Sequence, residues 1–489
     1  MKKSLVAVSI IVVLGAAWSG TSWYTGKQIE QQMATWVANA NQRLQESLPD
    51  AGVKLSVENY RRGIFTSQVR YVLHNADRTM QTSGDKMASL VNIDHGPFPL
   101  SQLTRLNLLP TLASLHAELE NTPIVKPLFD LSKGKPPITA DTRIAYNGDI
   151  ASVVDMLPLD HQQGEYQLAF SGAKLVLNIS DDMKNVRLDF NSDNLKISSR
   201  EQRKFVFQGL EWKVDTKEAA SGFRLGTQSL GAKQLQIVSQ ETGDIQLDGF
   251  TVAHQTDGKD NYLNGQFDYG ISALKIKGND LGSGQLRLNV NHVDATVLKA
   301  FIDFYNQESL NLLQHYKGTQ QQLARLVEQN MPLLLKGYPT FSIAPLSWKN
   351  SQGEAIFTFN LDLQQPLQAG TEAIPPEQKL IQAIKRLETH LTIPEAMATE
   401  ASAQLAQLQG ASRQQAQAMA PQQVQGLVAM AQKLNLVTLK DAVIGSSLHY
   451  ADNQVELNGN KMSLQTFISS VVGDDSATEA TPEQPVQCH

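Results

Sequence analysis

The chain has 489 residues, enough for two to four packing units, and its apolar share is that of a folded protein. Only 18% of its residues are Asp, Glu, Lys or Arg, against a usual level of about 25%, and 47 glutamines supply much of the remaining polarity. A net charge of −6 excludes a global attraction to nucleic acid, a mean hydropathy of −0.26 leaves room for at most one membrane span, and the lone cysteine, Cys488, excludes an internal disulfide, a thiolate metal cluster and an N-terminal lipid-anchoring motif.

After Met1-Lys2-Lys3 comes an uncharged run, Ser4 to Gly26, with Leu5, Val6, Val8 and Ile10 to Leu14 at its centre. Spanning a bilayer takes about 20 such residues, because every backbone amide must be satisfied within the helix. The two lysines predict a cytoplasmic N-terminus, with the bulk of the chain exported to the periplasm. Trp18, Trp23 and Tyr24 then fall where an outer aromatic belt belongs. A cleaved signal peptide is the competing reading, because Ala17-Trp18-Ser19 loosely resembles a small-x-small site. The length of the run and the aromatic residues after it favour retention.

Ile29, Met33, Trp36, Val37, Ala40, Leu44 and Leu48 form an apolar stripe at helical spacing that ends at Pro49, which predicts an amphipathic stalk over 27–49. The stripe can pack on the chain's own body or on a second copy, giving a homodimer through residues 27–49.

From Val53 the period changes to two. Val53, Leu55 and Val57 alternate, as do Phe65, Ser67, Val69, Tyr71 and Leu73, with Arg61-Arg62-Gly63 between them as a turn. Alternation resumes at Tyr166, Leu168, Phe170 and continues through Leu175–Ile179, Val186–Phe190, Leu195 and Ile197, Phe205 and Phe207, Trp212 and Val214, Leu235 and Ile237, and on to Val290. Turns rich in Gly, Asn and Asp fall between these runs, which predicts an antiparallel meander with one apolar face.

Two blocks read as helix. Asp294 is a candidate N-cap for Val297, Leu298, Phe301, Ile302 and Tyr305, and a second stretch runs to Gly337. Residues 394–434 are rich in Ala and Gln. There Gly410 reads as a stop, Ser412 with Gln415 as a capping box, and Pro421 as a kink. Between the blocks, residues 338–393 hold a hairpin turning at Asn350-Ser351-Gln352-Gly353. Residues 366–376 read as an exposed loop, 435–472 as C-terminal strands, and 473–489 as a disordered tail. The predicted fold class is mainly β with α (α+β). A transmembrane helix (1–26) and stalk (27–49) precede a β-rich meander (50–293), and the sheet is partly covered by the helical blocks 294–337 and 394–434.

Chemistry is sparse. No two of the ten histidines are three or four residues apart, and no nucleophile elbow, phosphate loop or dinucleotide glycine pattern occurs, so no catalytic residue, metal ligand or cofactor is assigned. In Asp94-His95-Gly96-Pro97-Phe98-Pro99-Leu100, Asp94 and His95 form an acid–base pair in the functional reading. In the structural reading a rigid turn sets Phe98 in the core, with His95 bonded to backbone. In Tyr60-Arg61-Arg62-Gly63-Ile64-Phe65 the arginines are either solvated turn residues or ligands for anionic headgroups.

At these two motifs the sequence resembles the YdgA family, through residues 1–26, 59–65 and Asp94 to Leu100. Lys126-Pro127-Leu128-Phe129-Asp130, Ala344-Pro345-Leu346-Ser347-Trp348-Lys349-Asn350, Leu391-Thr392-Ile393-Pro394 and Asn458-Gly459 carry the likeness further. The resemblance implies an inner-membrane-anchored envelope protein of enterobacteria-like organisms. It marks Tyr60, Arg61, Arg62, Gly63, Phe65, His95, Gly96, Pro97, Phe98 and Pro99 as candidate binding positions. Leu281-Gly282-Ser283-Gly284-Gln285-Leu286-Arg287-Leu288 is more loosely similar to repeats of AsmA-like proteins, a likeness that implies lipid movement.

A sheet with one apolar face closes on other elements as a solid core or curls into a trough for acyl chains, and alternation alone does not distinguish the two. The function expected first is non-enzymatic handling of membrane lipid or help with envelope assembly. A self-associating scaffold is the alternative, and a hydrolase using His95 is third.

Overall fold

The structure, a computed structural model, describes residues 2–47, 52–75, 86–164, 166–199, 203–239, 243–312, 325–326, 329–365 and 381–467. The loop 366–376, the tail 473–489 and much of the segment before Gly337 lie outside the described residues, as do the side chains of residues 2–14. The chain forms two compact units, residues 1–253 and 254–489.

The first unit opens with one uninterrupted helix, α1 (Lys2–Ser47), which joins the predicted anchor to the predicted stalk. Its buried positions Ser22, Thr25, Gly26, Ile29 and Met33 recur every three or four residues, so one face is committed to the body of the unit. Ile29 and Met33 enter a core with Val69, Val91, Ile93 and Ala113, and burial of two such side chains is worth about 1.5–3 kcal/mol each. Farther along, the Asn41 side chain accepts from the Leu55 backbone N–H at 2.7 Å and donates to the Leu55 carbonyl at 2.9 Å. Among the described residues, no helix is long and apolar enough to cross a membrane.

The strands are β1 (Val53–Arg62), β2 (Thr66–Asn75), β3 (Met87–His95), β4 (Ala113–Leu119), β5 (Ile138–Ile144), β6 (Ile150–Met156), β7 (Leu159–Gln163), β8 (Tyr166–Phe170), β9 (Ala173–Ile179), β10 (Asn185–Ser198), β11 (Lys204–Glu218), β12 (Arg224–Ser239) and β13 (Gly243–Lys259). Neighbours run antiparallel from β1 through β6 to β9, β10, β11 and β12. One edge of β10 serves two partners: β9 along Val186–Asn191 and β8 along Leu195–Ser198. Two short helices, α2 (Leu100–Thr104) and α3 (Lys126–Leu131), lie between strands, and α3 buries Phe129.

Two expectations change here. Arg61 and Arg62 end β1, paired with Gln68 and Ser67, so the turn is Gly63-Ile64-Phe65 rather than Arg61-Arg62-Gly63. Strands β3 to β7 fill the stretch between Leu73 and Tyr166, where the sequence carries only a weak apolar alternation. Their inward residues are often small or hydroxylic (Ala113, Ala117, Ala140, Thr142, Ser152), which weakens the apolar signal without weakening the ladder.

The second unit contains β14 (Tyr262–Ile276), β15 (Asn279–Asp294), α4 (Ala295–Leu312), β16 (Thr340–Asn350), β17 (Gly353–Leu363), β18 (Ile384–Pro394), α5 (Glu395–Leu408), α6 (Arg413–Lys433), β19 (Thr438–Lys440), β20 (Val443–Ala451), β21 (Gln454–Leu457) and β22 (Asn460–Ser463). Asp294 caps α4, its Oδ1 accepting from the Thr296 N–H at 2.8 Å. Ser412 and Gln415 form the capping box of α6, which runs through Pro421, and Gly410 (φ 102°) ends α5. The hairpin turns at Asn350–Gly353 as read.

Candidate functional site: the helix junction and the apolar sheet face

His95 closes β3. Successive strand residues point to opposite faces, so Asp94 and His95 diverge, and no acid–base pair forms. The Asp94 carboxylate instead accepts from the Ser101 N–H at 2.9 Å, at the start of α2. The His95 ring, 1% exposed, lies between Ser67 Oγ, 2.8 Å from Nε2, and the Ile64 carbonyl, 3.0 Å from Nδ1. A carbonyl only accepts, so Nδ1 carries the proton and Nε2 accepts from Ser67, whose oxygen lies 3.0 Å from the Tyr60 hydroxyl. The resulting relay runs Tyr60 to Ser67 to His95 to Ile64. Burial holds the His95 pKa below its ordinary value, the Ile64 carbonyl opposing and the Arg62 charge assisting. This Ser–His pair is sealed from solvent, and its Nδ1 faces a carbonyl rather than a carboxylate.

The same residues grip α1. A side chain on Gly26 would overlap the His95 imidazole, and Ser22 donates to the Gly96 carbonyl at 2.8 Å. Trp18 packs on Phe65 with ring centroids 5.0 Å apart. Arg62 pairs with Glu30 at 2.9 Å and lies 5.6 Å from the centroid of the Trp23 ring, which also carries Lys27 at 5.7 Å. Arg61, Gly63, Trp23 and Tyr24 are exposed. Gly96 is required because a Cβ there would meet the Thr111 carbonyl, and its peptide bond to Pro97 is cis. Phe98 is not in the core. Pro99 fills the interior instead, and Phe98 stands on the surface beside Leu100. Tyr60, Arg62, Phe65, His95 and Gly96 are therefore brought together around the helix, whereas Arg61, Gly63 and Phe98 lie exposed at the surface.

Residues directly opposite in antiparallel strands share a face, so cross-strand register traces the apolar side of the sheet. One row runs Val69, Val91, Ala117, Ala140, Val154, Leu175, Phe190, Trp212, Leu230 through nine strands without a polar member. The row beside it runs Ile93, Leu115, Thr142, Ser152, Leu177, Leu188, Val214. Under α1 the long row is closed, with Val69 0% and Val91 5% exposed; at its far end Trp212 is 44% and Leu230 39% exposed. From β5 onward none of its members is fully buried. The opposite face is charged, as in the row Arg143, Ala151, Asn178, Arg187, Asp215. The second unit repeats the pattern with Phe267, Leu288, Ile343, Phe359, Thr389, Leu448 and Leu457. Sequence reading missed this continuity because register is set by partners dozens of residues away.

A cleft of about 700 Å³ opens beside Asn147 and Asp149, but its Arg187 and Asp215 already pair at 2.7 Å. Among the described residues no group of His, Cys, Asp and Glu could hold a metal ion.

The chain that carries this gripped N-terminal helix and this long antiparallel sheet is a member of the bacterial protein family of unknown function DUF945, whose pattern matches residues 1–465. It is 36% identical over 504 aligned positions to protein YdgA of Escherichia coli (strain K12), with all of both chains covered. It is also 27% identical to the uncharacterised protein YihF of the same strain, over 95% of this chain and 98% of that one. An uncharacterised protein of Haemophilus influenzae is 24% identical over 64% of this chain and 86% of its own length. No solved structure matches. These matches do not bear on the AsmA-like likeness.

Proposed function

We propose that this protein is a non-enzymatic, inner-membrane-tethered envelope protein that shelters the acyl chains of membrane lipid along the apolar face of its first unit. The nine-strand row from Val69 to Leu230 carries this reading, because it is covered by α1 at one end and accessible at the other. A solid core would have buried it throughout. Supporting the tether are the uncharged run Ser4–Gly26, the preceding lysines and the continuity of α1 from that run into the body of the unit. Cleavage after Ser19 would strip Trp18 from Phe65, so the packing favours a retained anchor. The self-associating scaffold is less favoured, because the stalk stripe at Ile29 and Met33 is already used within the chain. The hydrolase reading is disfavoured by the sealed ring of His95.

The test is lipid analysis by mass spectrometry on the full chain after gentle extraction, beside the doubly substituted Trp212→Arg, Leu230→Arg protein. Both side chains are exposed enough to tolerate change, and an unaltered melting temperature checks the fold. Phospholipid that accompanies the parent protein and is lost from the variant supports the reading. A parent protein free of lipid, or equal lipid in both, removes it.

A further inference from the structure

Residues 18–26 have two duties that constrain each other. They complete the uncharged run, in which about 20 helical residues counted from Ser4 end at Trp23. They also pack on the body of the unit, Trp18 on Phe65 and Ser22 on Gly96. A helix rises about 1.5 Å per residue, so Trp18 lies roughly 8 Å inside the point where Trp23 would leave the hydrocarbon. Whatever touches Trp18 and Ser22 is then carried to that depth.

The edge of the body that touches Trp18 and Ser22 comprises the β1–β2 turn and the start of the segment that follows Gly96. Ile64 at the tip of the β1–β2 turn is exposed, and so are Leu106 (87%) and Leu108 (68%) in the segment joining β3 to β4. That segment leaves and re-enters the sheet through one neck, where the Gly96 N–H donates to the Leu112 carbonyl and the Thr111 N–H to the Pro97 carbonyl. It is ordered internally, with the Asn107 N–H bonded to the Gln102 carbonyl and the Gln102 side chain to Ser114. Leu106 also adopts a left-handed backbone (φ 57°), which is costly for a leucine, while its side chain stays largely exposed among the described residues. Lys27 and Arg62 stack on Trp23 at the same end, the arrangement of an aromatic ring at headgroup level with cations beside it.

We infer that the edge formed by the β1–β2 turn and the 96–112 segment is embedded in the outer half of the bilayer that α1 crosses, with lipid as its occupant. This rests on the retained anchor of the preceding section. Because His95 packs on Gly26, three residues past Trp23, it places the near end of the apolar face, at His95, Ala113 and Ile144, at the hydrocarbon boundary, next to the acyl chains from which that face would be supplied.

The experiment uses the full chain with Cys488→Ser and one new cysteine, at Ala16, Ile64 or Leu108, each carrying a polarity-sensitive fluorophore. The protein is reconstituted in phosphatidylethanolamine–phosphatidylglycerol nanodiscs with and without doxyl-labelled lipid, and each variant is first checked for an unchanged melting temperature. Emission at Ile64 and Leu108 that is blue-shifted and lost on adding doxyl lipid, as at Ala16, supports the inference. Quenching at Ala16 with water-like emission at Ile64 and Leu108 overturns it and leaves the anchor standing. No quenching at any position removes the anchor, and the embedded edge with it.

Discussion

Gly26 of α1 lies flat against the imidazole of His95, with no room for a side chain between them. That contact makes two of the sequence motifs parts of one joint. The Ile64 carbonyl of the first, residues 60–65, holds the ring that His95 of the second, residues 94–100, supplies, and α1 presents hydrogen where any other residue would present carbon.

Replacing a helical glycine by alanine normally stabilises a helix by about 1 kcal/mol. Gly26→Ala should do the opposite and cost about 1–3 kcal/mol through overpacking. Gly20, with nothing within 4 Å of its missing Cβ, is the internal comparison, and Gly20→Ala should be neutral or mildly stabilising. Urea unfolding of the full chain reads both; equal effects from the two substitutions would contradict the joint.

Ser67 supplies the proton that His95 Nε2 accepts and receives one from Tyr60. Ser67→Ala leaves buried groups unpaired and should cost about 1–3 kcal/mol, whereas Tyr60→Phe should cost about 0.5–1.5 kcal/mol. Because both belong to one relay, the double variant should fall short of the sum by at least about 0.5 kcal/mol. Strict additivity in the cycle would show the two hydroxyls to be independent.

Burial lowers the pKa of His95, so the unfolded chain takes up its proton first as pH falls. The stability due to a neutral His95 is complete above about pH 6.5 and is lost below it, at up to about 1.4 kcal/mol per pH unit, until the folded value is reached. His95→Gln should flatten the stability curve below about pH 6.5. A variant curve parallel to that of the parent would sink this account.

His116 has the opposite sign. Asp141, 2.8 Å from Nδ1, raises its pKa; burial opposes this, and Glu118 at 3.1 Å from Nε2 assists. Its contribution is complete below about pH 6.5 and disappears as pH rises through the raised folded value. NMR titration of the His116 ring should give a midpoint above that of a free histidine, and Asp141→Asn should bring it back. A midpoint that ignores the substitution would mean that Asp141 is not the cause.

Arg62 and Glu30 are partly exposed, so their ion pair alone is worth at most about 1 kcal/mol. Arg62 also lies over Trp23. Glu30→Gln should therefore be mild, and Arg62→Ala should be measurably worse than Glu30→Gln by thermal unfolding. The reverse order would discount the stacking.

Elements governed by nearby residues were legible in the sequence. The stripe at Ile29 and Met33, the capping box at Ser412 and Gln415, and the hairpin at Asn350–Gly353 all depend on spacings of a few residues. The site was less legible because its partners are remote in the chain. Ser67 and His95 are separated by 28 positions, and Glu30 meets Arg62 across a whole strand. Nothing local distinguishes Phe98 turned outward from Phe98 turned inward. Ala140 and Thr142 line an oily surface only because Val154 and Leu175 continue it.

The double engagement of β10 has an evolutionary consequence. Ser192 Oγ donates to the Gly172 carbonyl where one partner hands over to the other, so both ladders are indexed to the same stretch of chain. Deleting a single residue between Val186 and Ser198 would throw one ladder out of step with the other and turn its oily side outward. In this strand the number of residues should drift more slowly among descendants than their identity.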